Sequence, residues 1–227
     1  MIKLENITKK FGGVTAVEGI SFGVEKGEFV FLTGPSGAGK TTLIRLLLAE
    51  YLPTSGEIEI NSEKISKVSK RKLHLWRRKL GVVFQDYKLF PDRTVFENIA
   101  LPLFIRRTPS SEIGLKVKKI LELVGLSERA GLFPAQLAGG ELQRVSLARA
   151  IITGPEILLA DEPTGNLDPK TSEEMIKLFK EINANGTTVL MATHNSGIVD
   201  EFKFRVIELD KGKLVRDEKE GKYNSKK

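Results

Sequence analysis

Residues 34–41 form the pattern G-x-x-x-x-G-K-T, whose residue types suit the binding of a triphosphate. Glycines let the backbone turn inward, so that its N–H groups point at phosphate oxygens. Lys40 can reach the β and γ phosphates, and the Thr41 hydroxyl can ligate Mg²⁺. Residues 29–32 form a continuous apolar run, and leucines at helical spacing follow the loop. Strand, loop and helix in this order are the context that a phosphate loop requires.

Two acidic residues follow the apolar run at residues 157–160. The strand ends of an open α/β sheet line its ligand crevice, so we expect Asp161 and Glu162 beside the phosphate loop. Asp161 can hold the hydration shell of Mg²⁺, and Glu162 can act as general base for an attacking water. An acidic surface turn would explain the pair by itself, but the nearby phosphate loop favours the catalytic interpretation.

Gln85 and His194 also follow short apolar runs, so we expect them at the same edge of the sheet. The amide oxygen of Gln85 can bind Mg²⁺ or orient water. The imidazole of His194 can donate a hydrogen bond to the γ-phosphate. A generic loop glutamine and a structural histidine are the alternatives.

The order of the predicted elements positions these residues. Apolar strands and amphipathic helices alternate, which predicts an α/β fold with a mostly parallel sheet covered on both faces. Residues 86–152 carry mainly helical patterns, and we interpret them as an inserted helical subdomain. Residues 1–85 and 153–215 then form the ATP-binding α/β core, and residues 216–227 are expected to be a frayed tail.

The composition limits the class of protein further. The chain has 227 residues and a net charge of +7. It contains no cysteine, which excludes disulfides and thiolate metal sites. No apolar run approaches the roughly 20 residues of a membrane helix, and we expect no secretory signal. The positive charge is densest over residues 64–79. We interpret that cluster as a solvated helical face, although basic proteins also approach nucleic acids and anionic membranes.

Together these motifs resemble the nucleotide-binding domain of ABC ATPases over essentially the whole chain. Residues 34–41 resemble Walker A, and Asp161 with Glu162 resembles Walker B and its catalytic glutamate. Gln85 is similar to the Q-loop glutamine and His194 to the switch histidine. The resemblance implies an L-shaped P-loop NTPase domain with a mostly parallel core sheet, an antiparallel β subdomain and a helical subdomain. It implies that catalysis depends on Lys40, Gln85, Glu162 and His194.

Further motifs extend the resemblance. Residues 137–141 resemble the signature motif, and residues 166–168 resemble the D-loop. Phe11 resembles the aromatic residue that stacks on adenine, and Ala16 resembles the small residue beside it. The cofactors implied are ATP and Mg²⁺, with Thr41, Gln85 and Asp161 as the metal ligands. The nucleotide-binding residues implied are Phe11, Ala16, Gly34, Pro35, Ser36, Gly37, Ala38, Gly39, Lys40, Thr41, Thr42, Gln85, Asp161, Ala138, Gly139, Gly140 and Asp168.

The family implies a head-to-tail homodimer in the ATP-bound state. Each ATP then lies between Walker A of one copy and the signature motif of the other. Ala138 stands where the family usually has a serine, whose hydroxyl would donate to the γ-phosphate across the dimer. We therefore predict a weaker ATP-bound dimer that still closes. Asn195 also replaces an aspartate that is common after the switch histidine.

One branch of the family, the FtsE, LolD and MacB group, is most similar at residues 161–168. Residues 84–90 and 93–98 resemble its cell-division members. That resemblance implies an FtsX-like integral membrane partner and a cytoplasmic location on the inner face of the cell membrane. We expect no nucleic-acid partner, because no aromatic-and-basic platform for a single strand is evident. The alternatives are a lipoprotein-release or export ATPase, a nucleotide-gated scaffold and a nucleic-acid ATPase.

Overall fold

A computed structural model describes residues 1–223 and contains two β-sheets and seven α-helices within that range. The strands are β1 (Ile2–Phe11), β2 (Val14–Val24), β3 (Phe29–Thr33), β4 (Ser55–Ile60), β5 (Glu63–Lys64), β6 (Leu80–Phe84), β7 (Ile157–Asp161), β8 (Thr188–Ala192), β9 (Arg205–Asp210) and β10 (Lys213–Glu218). The helices are α1 (Lys40–Leu47), α2 (Leu73–Arg77), α3 (Val95–Ile105), α4 (Ser110–Leu123), α5 (Gly139–Ile151), α6 (Pro169–Ala184) and α7 (Ser196–Phe202).

The larger sheet has the strand order β10-β9-β3-β8-β7-β6. Strands β3 and β6 to β9 run parallel, and β10 pairs antiparallel with β9. Asp161 lies opposite Phe84 on one side and Ala192 on the other, and Leu32 lies opposite Ala192. The register therefore aligns the carboxyl ends of β3, β6, β7 and β8, so the residues that follow these strands meet at one edge.

The smaller sheet is antiparallel, with the order β2-β1-β4-β5. Its alternating apolar residues, such as Ile2 and Leu4, join α1 and one face of the larger sheet in a single apolar cluster. A second cluster covers the other face, where Phe179 of α6 and Leu147 of α5 are buried. The parallel sheet is therefore covered on both faces, which confirms the predicted α/β class.

Helices α3, α4 and α5 enclose a third apolar cluster that includes Val95, Val117 and Val145. Helix α3 begins with a capping box in which Thr94 and Glu97 satisfy each other's backbone N–H groups. The opposite side of α5 contributes Leu147 to the second cluster, so α5 belongs to both regions. This double packing fixes the helical region against the sheet.

The carboxyl-terminal segment differs from the expected frayed tail. Strand β10 continues to Glu218, and Arg216 Nε donates to Glu208 on the neighbouring strand at 2.8 Å. Beyond the strand, the Tyr223 N–H donates to Asp200 Oδ1 at 2.7 Å, and its ring packs against the second cluster. The prediction is wrong for residues 216–223. The contact of Tyr223 with Asp200 joins segments 23 residues apart, so the local composition of the tail does not indicate it. Residues 224–227 lie outside the described part of the chain.

Candidate active site

The phosphate loop connects β3 to α1, as its sequence predicts. Gly34 has φ +135°, and a Cβ there would lie 2.1 Å from the carbonyl oxygen of Leu209. Gly39 has φ +103°, and a Cβ there would lie 2.7 Å from Val17. Both positions therefore require glycine, because the backbone conformation is left-handed and neighbouring strands leave no room for a side chain.

Lys40 begins α1 and is only 7% exposed. Its Nζ donates to the carbonyl oxygens of Gly34 and Pro35 at 2.7 and 3.2 Å. Glu162 Oε1 lies 3.6 Å from the same Nζ. The loop thus holds a nearly buried positive charge over the space where phosphates would lie, with one carboxylate close to it.

Thr41 and Asp161 meet across 120 residues of sequence, where the Thr41 hydroxyl donates to Asp161 Oδ1 at 3.0 Å. Asp161 is 8% exposed, and its burial raises the pKa of its carboxyl above the usual value. Gln85 lines one cavity with both residues. A hydroxyl, a carboxylate and an amide form the oxygen donor set that Mg²⁺ prefers. These residues therefore fit Mg²⁺ held in part by nucleotide phosphates.

Glu162 follows β7 with φ +50°, a left-handed conformation that glutamate rarely adopts. Its N–H donates to the Ala192 carbonyl oxygen at 2.9 Å. Its Oε2 lies 2.9 Å from His194 Nδ1 and accepts from the His194 N–H at 3.2 Å. The side chain of Glu162 is 13% exposed, whereas that of His194 is 61% exposed. The strained backbone thus aims the carboxylate into the cleft and against the imidazole.

Gln85 and Asn166 join two motifs that lie far apart in sequence. Gln85 Nε2 donates to Asn166 Oδ1 at 3.4 Å, and Asn166 Nδ2 donates to the Gln85 carbonyl oxygen at 3.2 Å. A Cβ at Gly165 would lie 3.0 Å from Gln85 Nε2, so the loop after β7 leaves little space beside the amide. The residue that follows β6 is therefore connected directly to Asn166, the first residue of the stretch that resembles the D-loop.

A cleft of about 960 Å³ gathers most of the predicted site residues. It is lined by Val14, Thr15, Ala16, Pro35, Ser36, Gly37, Ala38, Gly39, Lys40, Thr41, Thr42, Gln85, Glu162, His194, Lys211 and Tyr223. Besides Val14 and Thr15, which adjoin the predicted Ala16, sequence reasoning missed Lys211 and Tyr223. Lys211 is in the β9–β10 turn, and the next residue, Gly212, donates its N–H to the Ala38 carbonyl oxygen at 3.1 Å. No local pattern marks either residue, because only the tertiary fold brings this turn and the tail to the loop.

Phe11 does not line this cleft. Its ring packs edge-on against Tyr51 at 5.0 Å between centroids, and Lys9 Nζ lies 5.0 Å from its centroid. Phe11 is 42% exposed, so part of its surface is accessible. Ala16, predicted beside it, does line the cleft. Stacking of Phe11 on adenine stays a prediction.

The predicted signature residues line a second cavity of about 380 Å³. Ala138, Gly139, Gly140 and Asp168 all contribute to it, together with Thr171. A Cβ at Gly140 would lie 2.6 Å from Thr171, so glycine permits close packing of α5 on the start of α6. Asp168 caps α6 by accepting from the Thr171 N–H at 3.1 Å. The two predicted half-sites therefore occupy separate cavities of one chain.

Within residues 1–223, no helix is long and apolar enough to cross a membrane. The same residues contain no group of three or more His, Cys, Asp or Glu side chains that could hold a metal ion.

The fold and the site define an ATP-binding cassette. The family model described as ABC transporter matches residues 17–165. The chain belongs to this family and is an ATPase of the ABC type.

Among curated proteins, the chain is 49% identical over 226 residues to the Cell division ATP-binding protein FtsE of Bacillus subtilis (strain 168), with 99% of both chains covered. It is 47% identical over 225 residues to the protein of the same name in Mycobacterium tuberculosis (strain ATCC 25618 / H37Rv), with 98% of both covered. A solved dimeric ATP-binding cassette, in a post-hydrolysis state with ADP and phosphate, has a TM-score of 0.89 and 37% identity. That comparison covers 97% of this chain and 99% of the other. The predicted resemblance to the cell-division branch is confirmed.

Proposed function

We propose that this chain is the Mg-ATP-hydrolysing subunit of a bacterial cell-division complex. It dimerises on ATP and drives a conformational change in an FtsX-like integral membrane protein. One observation carries the hydrolytic part: Glu162 lies between Lys40 and His194 in the cleft that the phosphate loop lines. The relatives named for cell division support the cellular role.

The phosphate loop and α1 bind the triphosphate. Backbone N–H groups of the loop and the positive end of the α1 dipole face the cleft. Lys40 adds a full charge, and its Nζ exchanges the carbonyl oxygens of Gly34 and Pro35 for phosphate oxygens. The charge-assisted bonds to phosphate are stronger than the bonds to neutral carbonyls, so the exchange favours bound nucleotide.

Thr41, Asp161 and Gln85 are the residues that would hold Mg²⁺. When bound, the ion supplies charge neutralisation at the phosphates. Burial raises the pKa of Asp161, because the surrounding protein does not replace all the hydration that its ionised carboxylate loses. Thr41 is its hydrogen-bond partner and holds the carboxylate oxygen in place. Asp161 is therefore suited to a nearby cation, which would restore the missing compensation.

Glu162 accepts the proton of the attacking water on its carboxylate as the water oxygen bonds to the γ-phosphorus, and the bond from that phosphorus to the β–γ bridging oxygen breaks to release ADP. The hydrogen bond from the His194 N–H and the close contact with His194 Nδ1 hold one carboxylate oxygen in place, and Lys40 lies nearer the other. With most of its imidazole exposed, His194 can also face the γ-phosphate. Glu162 is thus the general base, and His194 positions both the base and the phosphate.

The two separate cavities support the proposed dimerisation. The cleft lacks any contribution from residues 138–140, which line the other cavity. A second copy in a head-to-tail arrangement would place its α5 N-terminus against the γ-phosphate, where the helix dipole favours negative charge. The solved cassette with high similarity is itself dimeric.

An apolar groove of about 570 Å³ fits the membrane partner. Phe90, Leu101 and Ile105 line it, and Phe90 and Ile105 are 47% and 57% exposed. Its basic lining residues are Arg77, Arg78, Arg106 and Arg149. This chemistry suits an amphipathic helix with an acidic face, presented by the partner on the cytoplasmic side of the membrane. Strand β6 borders the groove and ends at Phe84, and the next residue, Gln85, connects the docking site to the nucleotide cleft.

Glu162→Gln tests the hydrolytic role. The amide keeps the size and most of the hydrogen bonding of the carboxylate but cannot take a proton. We expect nucleotide affinity to persist and phosphate release to fall by roughly 10²- to 10⁴-fold. Glu122→Gln, an exposed change on α4, is the matched control and should retain activity. Normal turnover in Glu162→Gln would remove Glu162 as the base.

Ile105→Glu tests the docking groove. The side chain is largely exposed, so the change should leave folding and basal ATP hydrolysis intact. We expect it to abolish co-purification with the integral membrane partner, because a carboxylate would be buried against an acidic helix. Leu115→Glu, at a similarly exposed position on α4, is the control. Retention of the partner by Ile105→Glu would refute docking in this groove.

A further inference from the structure

The positive charge of the chain is concentrated in residues 64–79, which we name the basic segment. It contains eight of the 36 Lys and Arg residues and none of the 29 Asp and Glu residues. The rest of the chain therefore has one more acidic than basic residue. The net charge of +7 is a local property of this segment.

The fold anchors the basic segment firmly. Trp76 is 1% exposed, and its Nε1 donates to the Leu47 carbonyl oxygen at 2.8 Å. Arg77 donates to the carbonyl oxygens of Leu48 and Ala49 at 3.0 and 2.9 Å. Since α1 ends at Leu47, the segment is fixed on the carboxyl end of that helix, with its buried side turned to the core.

The opposite side presents unpaired cations. Lys67, Lys70, Arg71 and Lys72 are all exposed, and within residues 1–223 none of the four makes an ion pair or a side-chain hydrogen bond. Some lysines of other surface helices, such as Lys116 and Lys177, have glutamate partners one turn away. Four like charges within the short stretch 67–72 repel one another when nothing compensates them, so this arrangement fits an external anion.

The location of the segment selects the kind of anion. His74, Arg77 and Arg78 belong to the segment and also line the apolar groove, so the two surfaces are continuous. If the membrane partner docks in that groove, as proposed above, the segment lies next to the bilayer. Leu75, which is 45% exposed, adds an accessible apolar side chain to the basic segment.

Nucleic acid is the weaker alternative. Single-strand binding relies on exposed aromatic side chains that stack on bases. Trp76 is the only Phe, Tyr or Trp residue of the segment, and it is buried against α1. The surface therefore offers charge without a stacking platform, which suits lipid headgroups better.

We infer that Lys67, Lys70, Arg71 and Lys72 bind the phosphate headgroups of anionic phospholipids beside the docked membrane partner. A Lys or Arg near an anionic leaflet strengthens binding by about fivefold (about 1 kcal/mol). Four such residues hold the cassette at the membrane surface and orient its groove toward the partner.

Vesicle flotation of the full chain, without any membrane partner, tests this inference. We expect binding to phosphatidylcholine vesicles with about 30% phosphatidylglycerol, no binding to pure phosphatidylcholine, and loss of binding as salt rises from about 50 to about 300 mM. Changing the four cations to glutamine should weaken binding more than tenfold and leave ATP hydrolysis unchanged. That variant is Lys67→Gln, Lys70→Gln, Arg71→Gln and Lys72→Gln.

A charge-matched control changes four other exposed lysines that form no ion pair within residues 1–223. The control is Lys26→Gln, Lys118→Gln, Lys119→Gln and Lys180→Gln. Equal loss in the control, or equal binding to neutral vesicles, would overturn the inference. Binding to duplex DNA in preference to vesicles, abolished by the same four changes, would assign the surface to nucleic acid instead. Because the vesicles contain no membrane partner, a negative result would overturn lipid binding alone. It would not bear on the proposed ATP hydrolysis or on docking in the groove, which are tested by Glu162→Gln and Ile105→Glu.

Discussion

Ala138→Ser is the change that most directly tests how two copies share ATP. Ala138 is the N-cap of α5, with an extended backbone (φ −71°, ψ 160°) and no side-chain acceptor for the helix. Glu141 Oε2 already accepts from the Ala138 N–H at 3.0 Å, which is one half of a capping box. A serine hydroxyl would complete the box from an exposed position and would add a donor toward the γ-phosphate of the partner copy.

The two effects have separate magnitudes. Completing the cap contributes about 1 kcal/mol to the isolated chain, or a rise in Tm of about 2–4 °C. A hydrogen bond to a charged phosphate contributes about 1.5–3 kcal/mol, so each shared ATP should tighten the dimer at least roughly tenfold. With two shared sites, we expect the dimer dissociation constant to fall on the order of a hundredfold.

Analytical ultracentrifugation with Mg-ATP in the Glu162→Gln background measures this constant, and thermal unfolding without nucleotide measures the cap. Ala138→Asp is the matched control, because aspartate also caps α5 but repels a phosphate. We expect the two variants to raise Tm alike and to shift the dimer constant in opposite directions. An unchanged constant in Ala138→Ser, or equal tightening by both, would refute the placement of residue 138 against the phosphate.

Two further changes test the cleft itself. Lys40→Ala should weaken Mg-ATP binding by at least about 100-fold in calorimetry, because it removes the positive charge beside the loop. The control Lys119→Ala should bind Mg-ATP normally. Unchanged affinity in Lys40→Ala would reject the phosphate-loop assignment. Asp161→Asn should raise the Tm of the nucleotide-free chain by about 2–4 °C and weaken Mg-ATP binding. Burial raises the pKa of Asp161 above 3.8 in the folded state, so its carboxylate destabilises the fold increasingly as pH rises through that pKa. The Tm difference should therefore grow from low pH toward neutral pH, and a difference independent of pH would contradict this origin.

The site illustrates which features local sequence can predict. The phosphate loop was identifiable because glycine, lysine and threonine at fixed spacing serve one chemistry on consecutive residues. The buried strands were identifiable because each is a short apolar run, and their parallel order places the residues that follow them at one edge. Asp161, Glu162, Gln85 and His194 were predicted in this way, and the structure brings all four to the same edge.

Other features depend on contacts between distant segments. The left-handed conformation of Glu162 and its bonds to His194 arise from the loops after β7 and β8, which the sequence does not relate to each other. Lys211 and Tyr223 reach the cleft because β9 and β10 fold back beside β3, and no local pattern marks them. The ring contact of Phe11 with Tyr51 likewise follows from the packing of the β1–β2 hairpin near the end of α1.

Residue type and short spacing are enough to predict the phosphate loop, the acidic pair, the signature stretch and the location of the basic charge. Which of these groups meet depends on the folded chain. The sheet register joins Thr41 to Asp161. The packing of α5 places Ala138 in a cavity separate from the cleft. The anchoring of Trp76 turns the cations of residues 64–79 outward. Long-range packing sets these distances, and no window of sequence contains both partners.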